Sequence, residues 1–564
     1  MRLAAGIFMR MLPKFLPFGK RPGINQTLAV PLCHRDLWIA FGLAGVVILL
    51  GTWQMVVGVC GVYHDDAIYV ITAKALAQGK GYRLINLPNA PFQTKYPFLY
   101  PALLAIIWKI WPSFPENLLA MQGLSLLAGA GTVAFAYLFL VHFGYTSRGV
   151  ALVSGLFCAT SAFYLFFCTL TLSEAPYALL SILALWGIAR QMQFPFDNPG
   201  SQIVLGLLLA LPFLTRVIGF VLVPAGLVSL YLAGRRIRWV GLGAALLVLP
   251  WILWMLLGPQ WSPNQVETYY TNYGSWWSSF GLLNLSRMFI VNLFYTIESI
   301  AIISITLIAK MAEQCLAINI LSIFIGLILI SQILKDLLSG KLLALYLVGY
   351  FGIVVFWPWP PFRFLVPILP FLLAYLLKAI WETIKKFRVL YNRRLLLALS
   401  LIILLGFNLK LVYQIGKVGK TMGYPDLSNL QEPVSWSSYE HIFHWINNHT
   451  LPNDVIVSGL DSMIYLYTGR SAFRPFAMNP MALFYFRDTP PSTLGNLIYI
   501  LRSYQPKYLI QTPMPMFSEE KPFSQIIYET FKRYPGLLET VYVGKDKRFL
   551  IYKIQLDRLP AANY

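Results

Sequence analysis

The chain has 564 residues, of which 57% are hydrophobic and only 12% are charged, and its mean hydropathy is +0.63. A soluble domain carries roughly 25% charged residues, so this composition excludes an ordinary soluble protein and indicates that most of the chain lies in lipid. The formal net charge of +21 does not indicate a nucleic-acid partner, because the cations lie in short runs between apolar segments: Arg235–Arg238, Lys385–Arg388 and Arg393–Arg394. This spacing is the positive-inside pattern of membrane proteins.

The first 36 residues are predicted to form a basic cytoplasmic tail. Their apolar runs are short and broken by prolines, which favours a tail before a retained first span over a cleaved signal peptide. The five cysteines of the chain have no metal-binding spacing, and none lies in the polar C-terminal region, so no disulfide framework is predicted there.

The first span is predicted over 37–59, and it leads into an external segment, 60–116. Within that segment, residues 65–78 are predicted to form a polar-faced helix that ends at Gly79 and Gly81. The apolar piece 99–111 is too short to cross a bilayer and is bracketed by prolines, so it is predicted to be an interfacial helix.

Ten further spans are predicted, which makes the transmembrane module 37–413 and gives about eleven spans. The stretch 284–303 is long enough for another span but is predicted to be an interfacial helix, because this choice leaves Lys335 and Lys341 inside. With this parity the loops 169–175, 258–313 and 357–363 join 60–116 on the external side. The ten spans are 117–142, 149–168, 176–191, 202–214, 219–233, 239–257, 314–334, 342–356, 364–380 and 395–413.

The remainder, 414–564, is predicted to be an external (periplasmic) α/β domain, since short β-rich runs alternate with amphipathic helices. The predicted elements are a helix at 438–449, a strand at 454–457, a helix at 491–504, a strand at 507–510, a helix at 524–534 and a hairpin of 538–544 with 548–555. No internal repeat points to the inverted halves of a transporter.

Three acids are candidates for chemistry. Asp65 and Asp66 are adjacent where the chain leaves the first span, and Glu174 stands between two spans on the same predicted side. Each has a structural interpretation as a helix-start acid that caps free amides and suits the helix dipole. However, ionisable groups at a lipid boundary are functional candidates by default.

Lys95, Arg216 and Arg363 are the external cations near span ends. Snorkelling of the side chain to the interface explains any one of them alone. Arg363 is the most suggestive because it lies in a stiff turn rich in Trp and Pro. Fixed cations in a partly dry site would stabilise the charge that develops on a departing phosphate.

These residues lie in segments that together resemble the motifs of the GT-C glycosyltransferases, among them the protein O-mannosyltransferases and the lipid A aminoarabinose transferases. Asp65–Tyr69 (DDAIY) resembles the Asp-Glu-Ala-x-Tyr signature of their first external loop, and Lys95–Leu99 (KYPFL) is similar to their Lys-Pro-Pro-Leu region. Ser173–Pro176 (SEAP) resembles their second-loop acid, and Arg363–Pro367 (RFLVP) resembles their late Arg-aromatic-Leu-Leu-Pro segment. The chain departs from the family where Asp66 replaces Glu and Phe98 replaces the second Pro.

The resemblance implies an α-helical polytopic membrane protein that transfers a sugar, with inversion, from a polyprenyl- or dolichyl-phosphate carrier to a lipid, glycan or protein acceptor. Asp65 would be the general base, with Asp66 or Glu174 orienting the acceptor or base. Lys95, with Arg216 or Arg363, would hold the leaving phosphate. His64, Tyr69 and Tyr96 stand within or beside these motifs and join the predicted binding set. No cluster demands a metal or other cofactor, although three acids could recruit a divalent ion.

The expected location is the plasma membrane, the inner membrane in a bacterium, with the site on the external face. The alternative function is a transporter or flippase of lipid-linked saccharides without bond chemistry, which would place its ionisable groups near the middle of the membrane on interrupted helices. The candidate acids lie instead at span ends on one side, which favours the enzyme. An assembly scaffold is a further alternative for 414–564.

Overall fold

The computed structural model describes residues 29–258, 265–272, 281–305, 316–386, 393–423, 434–475, 484–485, 494–514, 520–545 and 547–559. Most of the predicted basic tail, residues 1–28, and three parts of the predicted loop 258–313 lie outside the described residues.

Apolar helices make up the chain as far as residue 423. In chain order they are α1 His34–Gln54, α2 Asp65–Ala77, α3 Leu99–Ile110, α4 Leu118–His142, α5 Arg148–Ala159, α6 Ala162–Cys168, α7 Glu174–Gln193, α8 Pro199–Thr215, α9 Leu222–Leu232, α10 Arg238–Leu257, α11 Gln265–Thr271, α12 Leu282–Ser304, α13 Leu316–Leu338, α14 Leu342–Val355, α15 Phe362–Leu365, α16 Leu369–Lys386 and α17 Arg393–Met422. A 3₁₀ turn, Val217–Val221, precedes α9, and another, Val366–Ile368, joins α15 to α16.

Seven helices of the described ranges are long and apolar enough to cross a membrane, and the bent pair α5–α6, with a 63° break, would make an eighth. The chain is therefore a multi-pass membrane protein. The sequence predicted eleven spans because it counted α7 together with three short helices, α8, α9 and α14. The last three fall below the length of a full span, since about 20 residues are needed to cross the hydrocarbon core. The 12-residue α3 has the length predicted for an interfacial helix.

Helix α12 differs from its prediction. The segment predicted to be an interfacial helix forms a 23-residue helix that meets the length and hydropathy of a span. It packs closely along α13, where a Cβ on Gly326 would lie 2.2 Å from the carbonyl oxygen of Ile297. Loop charge alone could not reveal this packing.

Helix α17 also runs further than predicted. It continues to Met422, so the predicted domain boundary at residue 414 falls inside a helix. The extension packs on the end of α1, where Trp53 fills the space above Gly416 and the Lys420 ammonium lies 3.5 Å from the centre of the Trp53 ring.

The chain after α17 forms one five-stranded mixed sheet with helices. The alternating pattern predicted an α/β domain with four of these strands, but it missed the helix Asp461–Thr468 and the two-residue strand Ala472–Phe473. The sheet order is β2-β1-β3-β5-β4, with β1 parallel to β2 and β3, and with β5 antiparallel to β3 and β4. Its elements are α18 Trp436–His449, β1 Ile456–Ser458, α19 Asp461–Thr468, β2 Ala472–Phe473, α20 Leu494–Tyr504, β3 Tyr508–Gln511, α21 Glu520–Arg533, β4 Leu538–Val543 and β5 Leu550–Ile554.

This C-terminal domain packs directly on the loops that flank α2. The Tyr467 hydroxyl donates to the carbonyl of Gly58 at 2.5 Å, and the Ala472 amide donates to the carbonyl of Asn86 at 2.9 Å. At Gly61, where φ is +98°, a Cβ would lie 2.6 Å from that of Met463, so only glycine permits this approach. The domain and the Asp65 loop therefore lie on the same face of the helical bundle.

Candidate active site

Five segments distant in sequence meet at the end of the bundle that carries the C-terminal domain. Asp65 begins α2, Glu174 begins α7, Arg216 lies between α8 and the following 3₁₀ turn, Arg363 lies in α15, and Tyr96 precedes α3. Local structure explains why each charge occurs where it does: an acid at a helix start interacts favourably with the helix dipole, and a cation at a helix end interacts favourably with the exposed carbonyl groups. Their convergence into one network is a property of the fold.

Asp65 is the acid of this network that solvent can reach. Its Oδ2 lies 2.8 Å from Nη1 of Arg363, and its Oδ1 accepts a 2.5 Å hydrogen bond from the Tyr96 hydroxyl. A quarter of the side chain, 25%, is exposed. Burial alone would raise the pKa of Asp65, but the charge of Arg363 and the Tyr96 hydroxyl outweigh it and hold that pKa below its usual value. The carboxylate is therefore ionised at neutral pH.

Glu174 lies deeper, with 1% of its side chain exposed. Its Oε1 accepts from Arg363 Nε and lies 2.9 Å from Arg216 Nη1, so one carboxylate oxygen serves two guanidinium groups. The two acids and two arginines of this network balance in charge. Among the described residues, neither Glu174 Oε2 nor Arg363 Nη2 has a hydrogen-bond partner, which leaves one acceptor and one donor uncommitted.

Tyr69 completes the network on the helix face of Asp65, one turn along α2. Its hydroxyl lies 2.8 Å from the Ser173 Oγ, which also accepts from Arg216 Nη1 at 3.0 Å. Ser173 escaped the sequence analysis, in which it was only the neighbour of Glu174. The structure thus joins α2 to α7 and to the turn after α8 through polar side chains.

Asp66 points away from Asp65 and holds the loop before α2. Its Oδ2 accepts from the Gly61 amide at 2.8 Å and its Oδ1 from the Tyr63 amide at 3.2 Å, with 2% of the residue exposed. Burial raises the pKa of Asp66 to about 6, although the amide of Gly61 opposes the shift. The two adjacent acids of the sequence motif thus have different surroundings.

His64 occupies a strained turn directly before Asp65. Its φ of 58° and ψ of −56° are rare for a residue with a side chain, and the Asp65 amide donates to the Tyr63 carbonyl at 2.6 Å across it. These are the dihedrals of a γ-turn, which is uncommon and strained. The turn fixes the direction in which α2 starts, and hence the position of Asp65.

The side chain of His64 contacts the C-terminal domain. Its Nε2 lies 3.5 Å from Oδ1 of Asp461, and Arg474 Nε lies 3.1 Å from the same oxygen. The Tyr270 hydroxyl donates to Asp461 Oδ2 at 2.9 Å. Burial and the Arg474 charge keep the pKa of His64 below its usual value, so the imidazole is neutral. The sequence analysis named His64 but missed Asp461, Arg474 and Tyr270, because no motif surrounds them.

Lys95 is buried beside the network. Its ammonium donates to the Tyr269 carbonyl and lies 4.0 Å from the centre of that residue's ring. Burial lowers the pKa of Lys95 to about 7, although the negative charge of Asp65 opposes the shift. The structure therefore places this predicted phosphate ligand near Asp65, with a charge that titrates close to neutral pH.

Six of the nine predicted site residues form one network, and the other three lie behind it or beside it. One connected network contains Asp65, Tyr69, Tyr96, Glu174, Arg216 and Arg363. Asp66 and His64 support the loop behind it, and Lys95 is held beside it by α11. Within the described ranges, no group of three or more His, Cys, Asp or Glu residues could hold a metal ion. Asp65 and Glu174 are both paired with arginine, and this donor set does not suit a divalent cation.

The fold is similar to that of solved membrane proteins. The structure of ArnT from Cupriavidus metallidurans in the apo state matches 93% of this chain and 99% of its own, with a TM-score of 0.52 and 11% identity. The structure of the same protein bound to undecaprenyl phosphate matches with a TM-score of 0.52 and 12% identity. Arabinofuranosyltransferase AftD from Mycobacteria gives a TM-score of 0.46 at 14% identity, over 95% of this chain and 42% of its own.

No protein-family model matches the sequence, and no curated protein matches it. The likeness to ArnT covers nearly the whole of both chains and establishes that this chain has the GT-C fold, as the sequence motifs predicted. At this level of identity the likeness concerns the fold alone.

Proposed function

We propose that the protein is an inverting glycosyltransferase. It would transfer a sugar from a polyprenyl- or dolichyl-phosphate carrier to an acceptor hydroxyl at the external face of the membrane, with Asp65 as the general base. The observation that carries the proposal is the pairing of one accessible, ionised carboxylate with an arginine that also contacts a buried glutamate. Among Asp65, Asp66 and Glu174, only Asp65 has an exposed carboxylate that could meet a substrate.

Each group would have a separate task. Asp65 would take the proton of the acceptor hydroxyl while that oxygen bonds to the anomeric carbon and the bond from carbon to phosphate oxygen breaks. The leaving phosphate gains negative charge, which the guanidinium of Arg363 and the ammonium of Lys95 would stabilise. Because the acceptor, and not the carboxylate, attacks the sugar, one displacement occurs and the configuration inverts.

Glu174 and Arg216 would keep Arg363 in place before the donor binds. A guanidinium held by two carboxylates is already oriented, so less ordering is needed when a phosphate arrives. Binding of the phosphate would draw Arg363 toward the new anion and leave Asp65 free to accept a proton. The carrier class is supported by the GT-C fold shared with ArnT, one of whose structures holds undecaprenyl phosphate.

The direct test is donor consumption by purified full-length protein. The protein is incubated with a radiolabelled polyprenyl-phosphate sugar and a membrane extract as acceptor source, and release of the sugar from its carrier is measured. Asp65→Asn should lower turnover by about 10²–10⁴-fold and leave donor binding unchanged. Glu116→Gln, which changes an exposed acid outside the network, is the matched control.

Two outcomes would contradict the proposal. Near-normal turnover in Asp65→Asn would mean that the acid pair only caps the helix, a role that contributes about 0.5–2 kcal/mol of stability. Movement of intact donor across sealed vesicles without any release of sugar would favour the transporter.

A further inference from the structure

A cavity of about 490 Å³ lies between helices α2 and α3 and the C-terminal domain, away from the network around Asp65. It is lined by Lys74 and Ala77 of α2, Trp108 and Lys109 of α3, Phe114, and Leu466 of α19. Lys74 follows Asp65 by nine residues, which is about 13 Å along the helix and half a turn away in direction. The cavity is therefore separate from the network around Asp65.

Lys74 presents an unneutralised charge in this cavity. Its ammonium lies 4.9 Å from the centre of the Tyr465 ring and 5.7 Å from that of Trp108. Among the described residues no carboxylate pairs with it, and burial together with the charge of Lys80 lowers its pKa. A half-buried cation without an anion is unfavourable, and the aromatic faces offset only part of that cost. An anionic ligand would supply the missing charge.

The position of the cavity indicates where that anion comes from. On α3, the side chains of Ile106 and Ile110 are 57% and 80% exposed, and the neighbouring Trp111 is 40% exposed. A short helix that exposes large apolar residues and ends in tryptophan lies at the headgroup layer of a bilayer. Lys109 is exposed on the same helix, beside the cavity. Cations at this level meet lipid phosphates.

We propose that this cavity binds the phosphate headgroup of an anionic membrane lipid. Lys74 and Lys109 contact the phosphate, while Trp108 and Phe114, which stack with centroids 5.9 Å apart, form the apolar wall beside the acyl chains. The lipid thereby joins α2, α3 and α19, and so ties the interfacial helices to the C-terminal domain. This site does not depend on the proposed transferase activity.

The test is equilibrium binding of three probes to the full-length protein in detergent. The probes are short-chain phosphatidic acid, phosphatidylcholine of the same chain length, and glycerol 3-phosphate, which is a phosphate without acyl chains. Phosphatidic acid should bind at least tenfold more tightly than either other probe. Lys74→Gln should weaken its binding about tenfold, since a charge-assisted hydrogen bond of about 1.5–3 kcal/mol is lost.

Control variants separate this site from others. Lys545→Gln removes an exposed charge in the turn between β4 and β5 and should have no effect. Arg363→Gln tests binding in the proposed catalytic network, and phosphatidic acid bound to the cavity should survive it. Ala77→Trp fills the cavity without changing its charge and should weaken binding as Lys74→Gln does. Melting temperatures of all variants establish that they are folded.

Three results would overturn the proposal. Equal binding of phosphatidic acid and phosphatidylcholine would exclude recognition of the negative charge. Equal binding of glycerol 3-phosphate and phosphatidic acid would mean a soluble anion and not a lipid. Unchanged affinity in both Lys74→Gln and Ala77→Trp would place the bound lipid elsewhere on the protein.

Discussion

Asp461 of the C-terminal domain lies 3.5 Å from the imidazole of His64, the residue that immediately precedes Asp65. Both side chains are buried, and His64 is at the centre of the strained turn that starts α2. The C-terminal domain therefore contacts the side chain of the residue whose backbone turn positions the proposed base. We infer that Asp461 is a positioning residue.

Asp461→Asn should lower kcat by about tenfold to a hundredfold, because a shift of about 1 Å in a catalytic group is sufficient for such a loss. The KM for donor should change little, since the cations that meet the phosphate are untouched. The measurement is steady-state kinetics of donor consumption, together with the melting temperature.

The stability of this variant needs its own control. Asp461→Asn removes a carboxylate that lies 3.1 Å from Nε of the fully buried Arg474, and breaking a buried pair costs about 3–5 kcal/mol. Removing both charges in Asp461→Asn/Arg474→Gln should recover stability without recovering kcat. Recovery of kcat together with stability would show that the cluster only holds the fold.

Lys95 gives a prediction for pH dependence. Burial lowers its pKa to about 7 in the free protein, so the ammonium loses its charge as the pH rises through about 7. In the proposed mechanism the donor phosphate requires that charge, and kcat/KM should therefore fall with rising pH above about 7. In Lys95→Arg the guanidinium stays charged, and this alkaline limb should disappear.

The same shift predicts the sign of the stability change. An unfolded lysine keeps its proton up to a pKa near 10.4, so between about pH 7 and 10 the unfolded chain binds more protons than the native one. The contribution of Lys95 to stability thus rises with pH over this window, opposite to the fall in kcat/KM.

The outcome that would contradict the kinetic prediction is a fall in kcat/KM above about pH 7 that persists in Lys95→Arg, because another group would then cause that fall.

The topology can be tested by reporter fusions. We expect the basic run that ends at Arg238 on the cytoplasmic side and the C-terminal domain on the external side with Asp65, because loop cations remain inside. Fusions at residue 238 and at the C-terminus should report opposite sides. If both fusions report the same side of the membrane, the predicted orientation is wrong.

Patterns along the chain predicted most of the fold. Apolar runs located the long helices, and alternating strands and helices in the C-terminal region predicted elements that match the observed ones within a few residues, as with α18 at Trp436–His449. Both patterns depend on local periodicity, which the sequence displays directly. The sequence predicted the helix α12 but not its close packing against α13, because loop charge does not reveal which helices are neighbours.

The site was predictable only in part, because local motifs do not show long-range contacts. Motifs singled out Asp65, Glu174 and Arg363, and the family resemblance assigned the role of base to Asp65, but the sequence did not show how the surroundings of Asp65 and Asp66 differ. The structure separates them through contacts with backbone amides that no motif encodes, since Asp66 accepts from Gly61 and Tyr63. Asp461 lies 397 residues after His64 in a helix start without any catalytic signature. Such long-range contacts follow from the tertiary fold alone.

Glu174 provides the last prediction, because it is the anion shared by Arg216 and Arg363. In Glu174→Gln the two guanidinium groups face each other without it, and Arg216, whose side chain is only 12% exposed, has no other carboxylate among the described residues. Arg363 keeps Asp65 as a partner. The charge loss should cost about 3–5 kcal/mol of unfolding free energy, as expected for a broken buried pair, and should also lower turnover.

A double-mutant cycle separates the two arginines. Glu174→Gln combined with Arg216→Gln should be more stable than Glu174→Gln alone, because the orphaned buried cation is removed with its anion. Combination with Arg363→Gln should recover less, because that change leaves Asp65 without its cation. Unfolding free energies from denaturant titration measure both coupling energies. Additive losses in both pairs would show that Glu174 does not act as the shared anion that holds Arg363 beside the proposed base.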